Sequence, residues 1–132
     1  MLRFAAKECN GWIPGHLSPS DYRQKMNGII EEAEKHGKRR SEFTFVHFTR
    51  ILTGPHMDEV LKLKLKDRMS RGEGRFLVGP PKFCLERLQS YVDVGVDMIL
   101  LRIEQVARTS LENAEEHGEH IAFIRDEILS KL

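Results

Sequence analysis

Arg102 stands directly behind Ile99, Leu100 and Leu101, so a permanently charged, two-pronged donor sits at the end of an apolar run. A guanidinium there can hold a phosphate or carboxylate of a bound molecule, or it can close an internal ion pair with Glu104 or Glu86. Arg50 poses the same choice inside the apolar stretch Glu42 to Leu52: it is either paired with a carboxylate or aimed at an anion. His16, behind Pro14 and Gly15, could orient a substrate or move a proton near neutral pH, and equally could be a solvent-exposed loop histidine. Thr53 and His56 follow Arg50 closely. Other patterns carry less. His117 and His120, beside Glu116 and Glu119, could hold a metal in principle, but Gly118 lies between them and no third ligand is evident, so a solvated helix face is expected. Gly79-Pro80-Pro81 opens a helix whose free N–H groups would attract phosphate, yet the two prolines remove donors and leave capping as the role. Gly72-Glu73-Gly74 is short and wrongly charged for a phosphate loop. Lys62, Lys64, Lys66, Arg68, Arg71 and Arg75 lack interleaved aromatic residues and read as an exposed face. No Ser-His-Asp or Cys-His arrangement follows from spacing, so no catalytic residue is assigned.

The stretch Gly79 to Ile103 positions Arg102. Pro80 and Pro81 suit a first helical turn, and Cys84, Leu88, Tyr91 and Val92 recur on one face. Gly95 permits a left-handed helix end, and Val96 to Ile103 then reads as a strand buried on both faces, as in parallel sheets with helices outside. Upstream, Leu2 to Lys7 reads as a fragment of helix and Asn10 to Pro14 as a short strand. Ser18-Pro19-Ser20-Asp21 supplies an N-cap, a proline at the first helical position and a carboxylate in the first turn. Tyr22, Met26, Ile29, Ile30 and Ala33 continue that helix until Gly37. Glu42 to Leu52, apolar on both alternating faces, should be the central strand, and it positions Arg50. A helix is expected from Asp58 to about Met69, a loop from Ser70 to Arg75, a connection from Glu104 to Ser110, and a last helix from Leu111 to Leu132. Alternating helices and strands imply right-handed crossovers and a parallel sheet of about three strands.

With 132 residues and 40% hydrophobic content the chain is one domain with an ordinary core. Its 21 basic and 20 acidic residues nearly cancel, so neither nucleic acid nor an anionic membrane is implied as a partner. Cys9 and Cys84 lie far apart outside any metal-type spacing and read as free thiols. Nothing resembles a signal peptide or a membrane span, which makes the cytoplasm the expected compartment.

Several stretches together resemble a family. Asn10-Gly11-Trp12-Ile13-Pro14, the helix from Ser18-Pro19-Ser20-Asp21-Tyr22 through Ala33, His36 and Gly37, Val78-Gly79-Pro80 with Leu85-Glu86-Arg87-Leu88, and Tyr91 through Gly95-Val96-Asp97 are similar to the C-terminal part of the bacterial luciferase-like monooxygenases. That family includes flavin-dependent monooxygenases and deazaflavin-dependent oxidoreductases such as methylenetetrahydromethanopterin reductase. Members commonly have Asp where this chain has Asn10.

The resemblance implies an α/β fold, the C-terminal part of a TIM (β/α)8 barrel, in which the strands here would be the sixth to eighth. A complete barrel of this kind runs to about 250 residues, so strands one to five have no counterpart here. By the same resemblance the chemistry would lie at the carboxyl ends of the strands, near Gly15, His16, Arg50 and Arg102, with FMN or a deazaflavin as cofactor, no metal, and a small-molecule substrate. Such a segment is expected to be incomplete as a catalyst alone. Its exposed strands would be met by a homo-oligomer or by a separate N-terminal half. The alternative function is a non-catalytic half-barrel that acts as an assembly module through its exposed sheet.

Overall fold

Ser18 starts the longest helix among the described residues as its sequence predicts: the Ser18 side chain accepts a hydrogen bond from the Asp21 N–H at 3.2 Å, and Pro19 fills the first turn. The computed structural model containing this helix describes residues 2–54, 77–103 and 114–132, and at residues 114–117 the backbone alone. The expected helix from Asp58 to Met69, the loop from Ser70 to Arg75, the connection from Glu104 to Ser110, His56, the basic run and the His117 side chain lie outside the described residues. The elements are α1 (Leu2–Glu8), β1 (Gly11–Trp12), α2 (Pro19–Glu34), β2 (Thr44–Leu52), β3 (Leu77–Val78), α3 (Pro81–Asp93), β4 (Met98–Ile103) and α4 (Ala114–Glu127). They fall into two compact units, Met1–Thr49 with Ser90–Leu100, and Arg50–Gln89 with Leu101–Leu132, and each is taken by itself.

In the first unit α2 buries Tyr22, Met26, Ile29 and Ala33 against Ala6, Phe43 and Phe45. Fully burying side chains such as Ile29 contributes roughly 1.5–3 kcal/mol each before the entropy of ordering is subtracted. The Tyr22 hydroxyl donates to the Val46 carbonyl at 3.0 Å, so the helix is fixed to β2 by a hydrogen bond as well as by packing. β1 runs parallel to β2, with Gly11 opposite Thr44 and Trp12 opposite Phe45. In the second unit β3 runs parallel to the end of β2, with Ile51 opposite Leu77. Cys84 and Leu88 of α3, and Ile124 and Ile128 at the end of the chain, are buried there.

The central place expected for Glu42 to Leu52 holds, although the strand begins at Thr44 after a short 3-10 turn at Arg40–Glu42. β2 pairs with β1, β3 and β4, and Phe45, Val46, His47, Thr49, Ile51 and Leu52 are all buried, so both of its faces are covered. β4 departs from expectation. Its side chains alternate exposed and half-buried, and Met98 and Leu100 are 51% and 43% exposed. An apolar run shows that both faces suit burial, but whether both are covered depends on what packs there. β3, as short as β1, was not expected: Leu77 and Val78 alone have no period to detect, whereas β1 is framed by the Asn10-Gly11 turn and Pro14.

One carboxylate ties the start of β4 to the start of β2. Asp97 accepts from the Phe45 N–H at 2.8 Å, and its own N–H donates to the Phe45 carbonyl at 2.9 Å. Arg40 Nη2 donates to both Asp97 oxygens at 2.7 and 2.8 Å and to the Gly95 carbonyl at 3.1 Å, while its guanidinium lies 4.6 Å over the Phe45 ring. Partial burial pushes the Asp97 carboxyl upward, but the bonds from Arg40 and the Phe45 N–H, with the charge of Arg40, outweigh it and hold the pKa below the ordinary 3.8.

Two predictions follow from these contacts. Gly95 has φ 99°, Val96 N–H closes back on the Tyr91 carbonyl at 3.2 Å, and a Cβ on Gly95 would lie 3.4 Å from Met26 Cε. Gly95→Val therefore lowers stability by on the order of 1 kcal/mol or more, read as a lower denaturation midpoint, and an unchanged midpoint would show that α3 does not need this cap. Asp97→Asn is expected to cost on the order of 1 kcal/mol at neutral pH, kept small because the ion pair is over a third exposed. Because the folded-state pKa is depressed, the carboxylate's contribution is whole above the ordinary 3.8 and is lost as pH falls through the folded value. Urea titrations of both proteins should thus converge in acid, and a gap independent of pH would rule the charge out as the cause.

Candidate functional site

Beyond Trp12 the chain stays beside β2, and the backbone of Gly15 bridges Phe48 in parallel register. His16 follows with φ 47°, a left-handed conformation uncommon for a residue with a side chain. Its ring is half-buried, 6.0 Å from the Phe48 ring at 50°. The next residue is tied as well, because the Tyr91 hydroxyl donates to the Leu17 carbonyl at 2.6 Å. His16 is therefore held between two anchors, the Gly15 bridge and the Leu17 hydrogen bond.

Alternation along β2 decides which face His16 meets. Phe45 packs in the α2 core, and His47 stacks on Tyr91 of α3 at 3.8 Å and 16° and meets Tyr22 edge-on at 5.7 Å. Side chains two apart share a face, so Phe45 and His47 mark the helix-covered side and Phe48 the opposite one. His16 lies with Phe48 on that opposite side.

In the second unit Arg50 is half-buried on β2, and the buried Thr53 follows the end of the strand. The Thr53 carbonyl takes a short hydrogen bond from His120 Nε2 of α4. A carbonyl can only accept, so Nε2 carries the hydrogen. His120 is thus a fastening of α4 to the end of β2, a role that helix spacing alone did not indicate. Among the described residues no three His, Cys, Asp or Glu side chains gather to hold a metal ion. Burial pushes the Cys84 thiol up to about 11, against a smaller opposing pull from the Thr53 hydroxyl, and Sγ donates to the Gly79 carbonyl at 3.7 Å. It stays a protonated core thiol and not a nucleophile.

Arg102 is exposed near the carboxyl end of β4, on the same alternate row as Met98 and Leu100. Lys82 Nζ lies 3.9 Å from Glu86, and Glu104 is outside the described residues. Phe48, against His16, went unnoticed in the sequence, although the alternation along Thr44 to Leu52 was sufficient to put it on the face away from the helices.

No protein-family model and no curated protein matches the sequence. Solved structures do share its fold. A coenzyme F420 dependent tetrahydromethanopterin reductase from Methanopyrus kandleri superposes with a TM-score of 0.67 at 14% identity, over 99% of this chain and 48% of that one. A long-chain alkane monooxygenase, LadA, gives 0.63 at 16% identity over 94% of this chain and 36% of its own. A riboflavin lyase, RcaE, solved with modified FMN and riboflavin, gives 0.64 at 12% identity over 96% and 40%. The chain spans less than half the length of each. These structural neighbours are luciferase-like proteins built on TIM barrels, and the fold of this chain is the C-terminal part of such a barrel.

Proposed function

We propose that the chain is the C-terminal segment of a luciferase-like oxidoreductase that uses a flavin or deazaflavin for hydride transfer or monooxygenation, incomplete as a catalyst alone and acting in the cytoplasm. The observation that carries this is the match of 99% of the chain to an F420 dependent reductase, with Gly15 and His16 following the end of β1 and Arg50 and Arg102 near the ends of β2 and β4. The donor set fits part of an anionic cofactor or substrate. A guanidinium at a strand end matches a phosphate or carboxylate in two-pronged fashion, and an imidazole held in a fixed loop can donate to a polar edge or hold a proton at a ring nitrogen. When bound, the flavin or deazaflavin would supply the hydride or oxygen chemistry. The residues here would bind and orient: Arg102 and Arg50 by charge, His16 by hydrogen bonding, Gly15 by leaving the backbone open beside it. The substrate is a small molecule.

The exposed apolar side chains Ile13, Met98 and Leu100 favour a second reading, a non-catalytic half-barrel that serves as an assembly module. Light scattering with absorbance on the purified protein and its native complex separates the two, since a flavin or deazaflavin at stoichiometric loading belongs to the enzyme alone.

In the complete barrel Arg102→Lys should weaken an anionic cofactor or substrate by about tenfold while the melting temperature stays constant, because lysine keeps the charge and loses the fork. Equal binding together with a lower melting temperature would make Arg102 an internal ion-pair residue. His16→Gly should hold or raise stability, by up to about 1 kcal/mol, because glycine relieves the left-handed backbone, and should weaken binding. If binding persists in that variant, His16 is a loop residue without a role.

A further inference from the structure

An asparagine followed by glycine is open to attack on its own carboxamide, because glycine has no side chain to hinder its nitrogen as it swings onto the neighbouring side-chain carbon. The first unit holds two such pairs, Asn10-Gly11 and Asn27-Gly28, and all four residues are exposed. Their backbones differ. Gly28 lies inside α2, where its N–H is bonded four residues back and the helix holds the nitrogen away from the Asn27 carboxamide. Gly11 stands opposite Thr44 in the parallel pairing of β1 with β2, and the Thr44 N–H donates past it to the Asn10 carbonyl at 2.9 Å. That pattern leaves the Gly11 N–H outside the ladder, since the bonds run through the residues on either side of it. The next N–H of β2, that of Phe45, goes to the Asp97 carboxylate.

Two further contacts bear on this pair. Lys38 Nζ, held by the Cys9 carbonyl at 3.0 Å, lies 3.5 Å from Asn10 Oδ1. An ammonium there draws charge toward that oxygen and steadies the negative oxygen that forms when the amide carbon is attacked. The sheet itself favours glycine beside Asn10, because a Cβ at Gly11 would lie 3.2 Å from the Thr44 carbonyl oxygen.

We propose that Asn10 is a self-modification site, at which the Gly11 nitrogen attacks the Asn10 side-chain carbon with Lys38 as the electrostatic activator, while α2 spares Asn27. A bond forms between the Gly11 nitrogen and Asn10 Cγ, the bond from Cγ to Nδ2 breaks, and the Gly11 proton leaves with Nδ2 as ammonia. Water then opens the cyclic imide at either carbonyl. One opening gives aspartate, a carboxylate beside the Lys38 ammonium. The other gives isoaspartate, in which the main chain runs through the β-carbon. The carbonyl that accepts from Thr44 then becomes a free carboxylate, and β1 loses its place on β2. The proposal is independent of the oxidoreductase reading.

The test ages the purified chain at mildly alkaline pH, once folded and once in guanidinium chloride. Mass spectrometry follows two tryptic peptides, residues 8–23 with Asn10 and residues 26–35 with Asn27, and an isoaspartyl methyltransferase labels the isoaspartate formed. In the folded chain Asn10 should convert about tenfold or more faster than Asn27, because Asn27 must wait for α2 to open. In denaturant the two rates should approach each other. Lys38→Met should slow Asn10 several-fold in the folded chain alone, and Lys38→Arg should keep most of the rate. Equal rates in the folded chain, or the same disparity in denaturant, would overturn the proposal. A folded Lys38→Met chain that converts as fast as wild type would overturn the role given to the lysine.

Discussion

Asp97 and Phe45 exchange two hydrogen bonds, carboxylate to N–H and N–H to carbonyl, and the register of β4 on β2 depends on that exchange. A slip of one residue would send every side chain of β4 to the other face. With the register set, Met98, Leu100 and Arg102 share one row and Ile99, Leu101 and Ile103 the other, half-buried one. Gly95 contributes from the helix side, because its left-handed turn brings the chain from α3 into β4 within a few residues. The place of Arg102 at a strand end is therefore a consequence of contacts made at the opposite end of the same strand.

That division suits a barrel. The Arg40 ion pair lies at the amino ends of β2 and β4, where a TIM barrel keeps its stabilising contacts, and its guanidinium is occupied by the Asp97 carboxylate, two carbonyls and an aromatic ring. Arginine type alone does not reveal function. Arg40, in the turn before β2, fastens the amino end of the sheet, whereas Arg102 lies near the carboxyl end of β4, the end at which TIM barrels take their ligands.

Local chemistry made much of this legible. Ser18 with Pro19 and Asp21 starts α2, the spacing from Tyr22 to Ala33 gives its buried face, Gly95 ends α3, and the two-faced apolar content of β2 gives its central place. The rest depended on distance in the chain or on a missing neighbour. Asp97 is 57 residues from Arg40, so no window reading could join them. The strain at His16 is a backbone property that its side chain does not announce, and the contact of His120 with Thr53 spans 67 residues. Val96 to Ile103 is nearly all apolar, a composition that predicts cover on both faces, whereas one row of β4 is exposed in this chain.

That last difference bears on what the row is for. A sheet meant to keep one face in water alternates polar with apolar residues, and β2-like runs occur where both faces are covered. Along the exposed row β4 has Met98, Leu100 and then Arg102, apolar groups first and a cation at the carboxyl end. Water gains nothing from Met98 and Leu100, whereas a barrel interior uses apolar groups below and polar groups at its mouth. A long arginine at the rim can lay its stem on apolar neighbours and keep its charged head toward ligand or solvent. The exposed row of this six-residue strand thus runs from two apolar side chains to a cation near its carboxyl end.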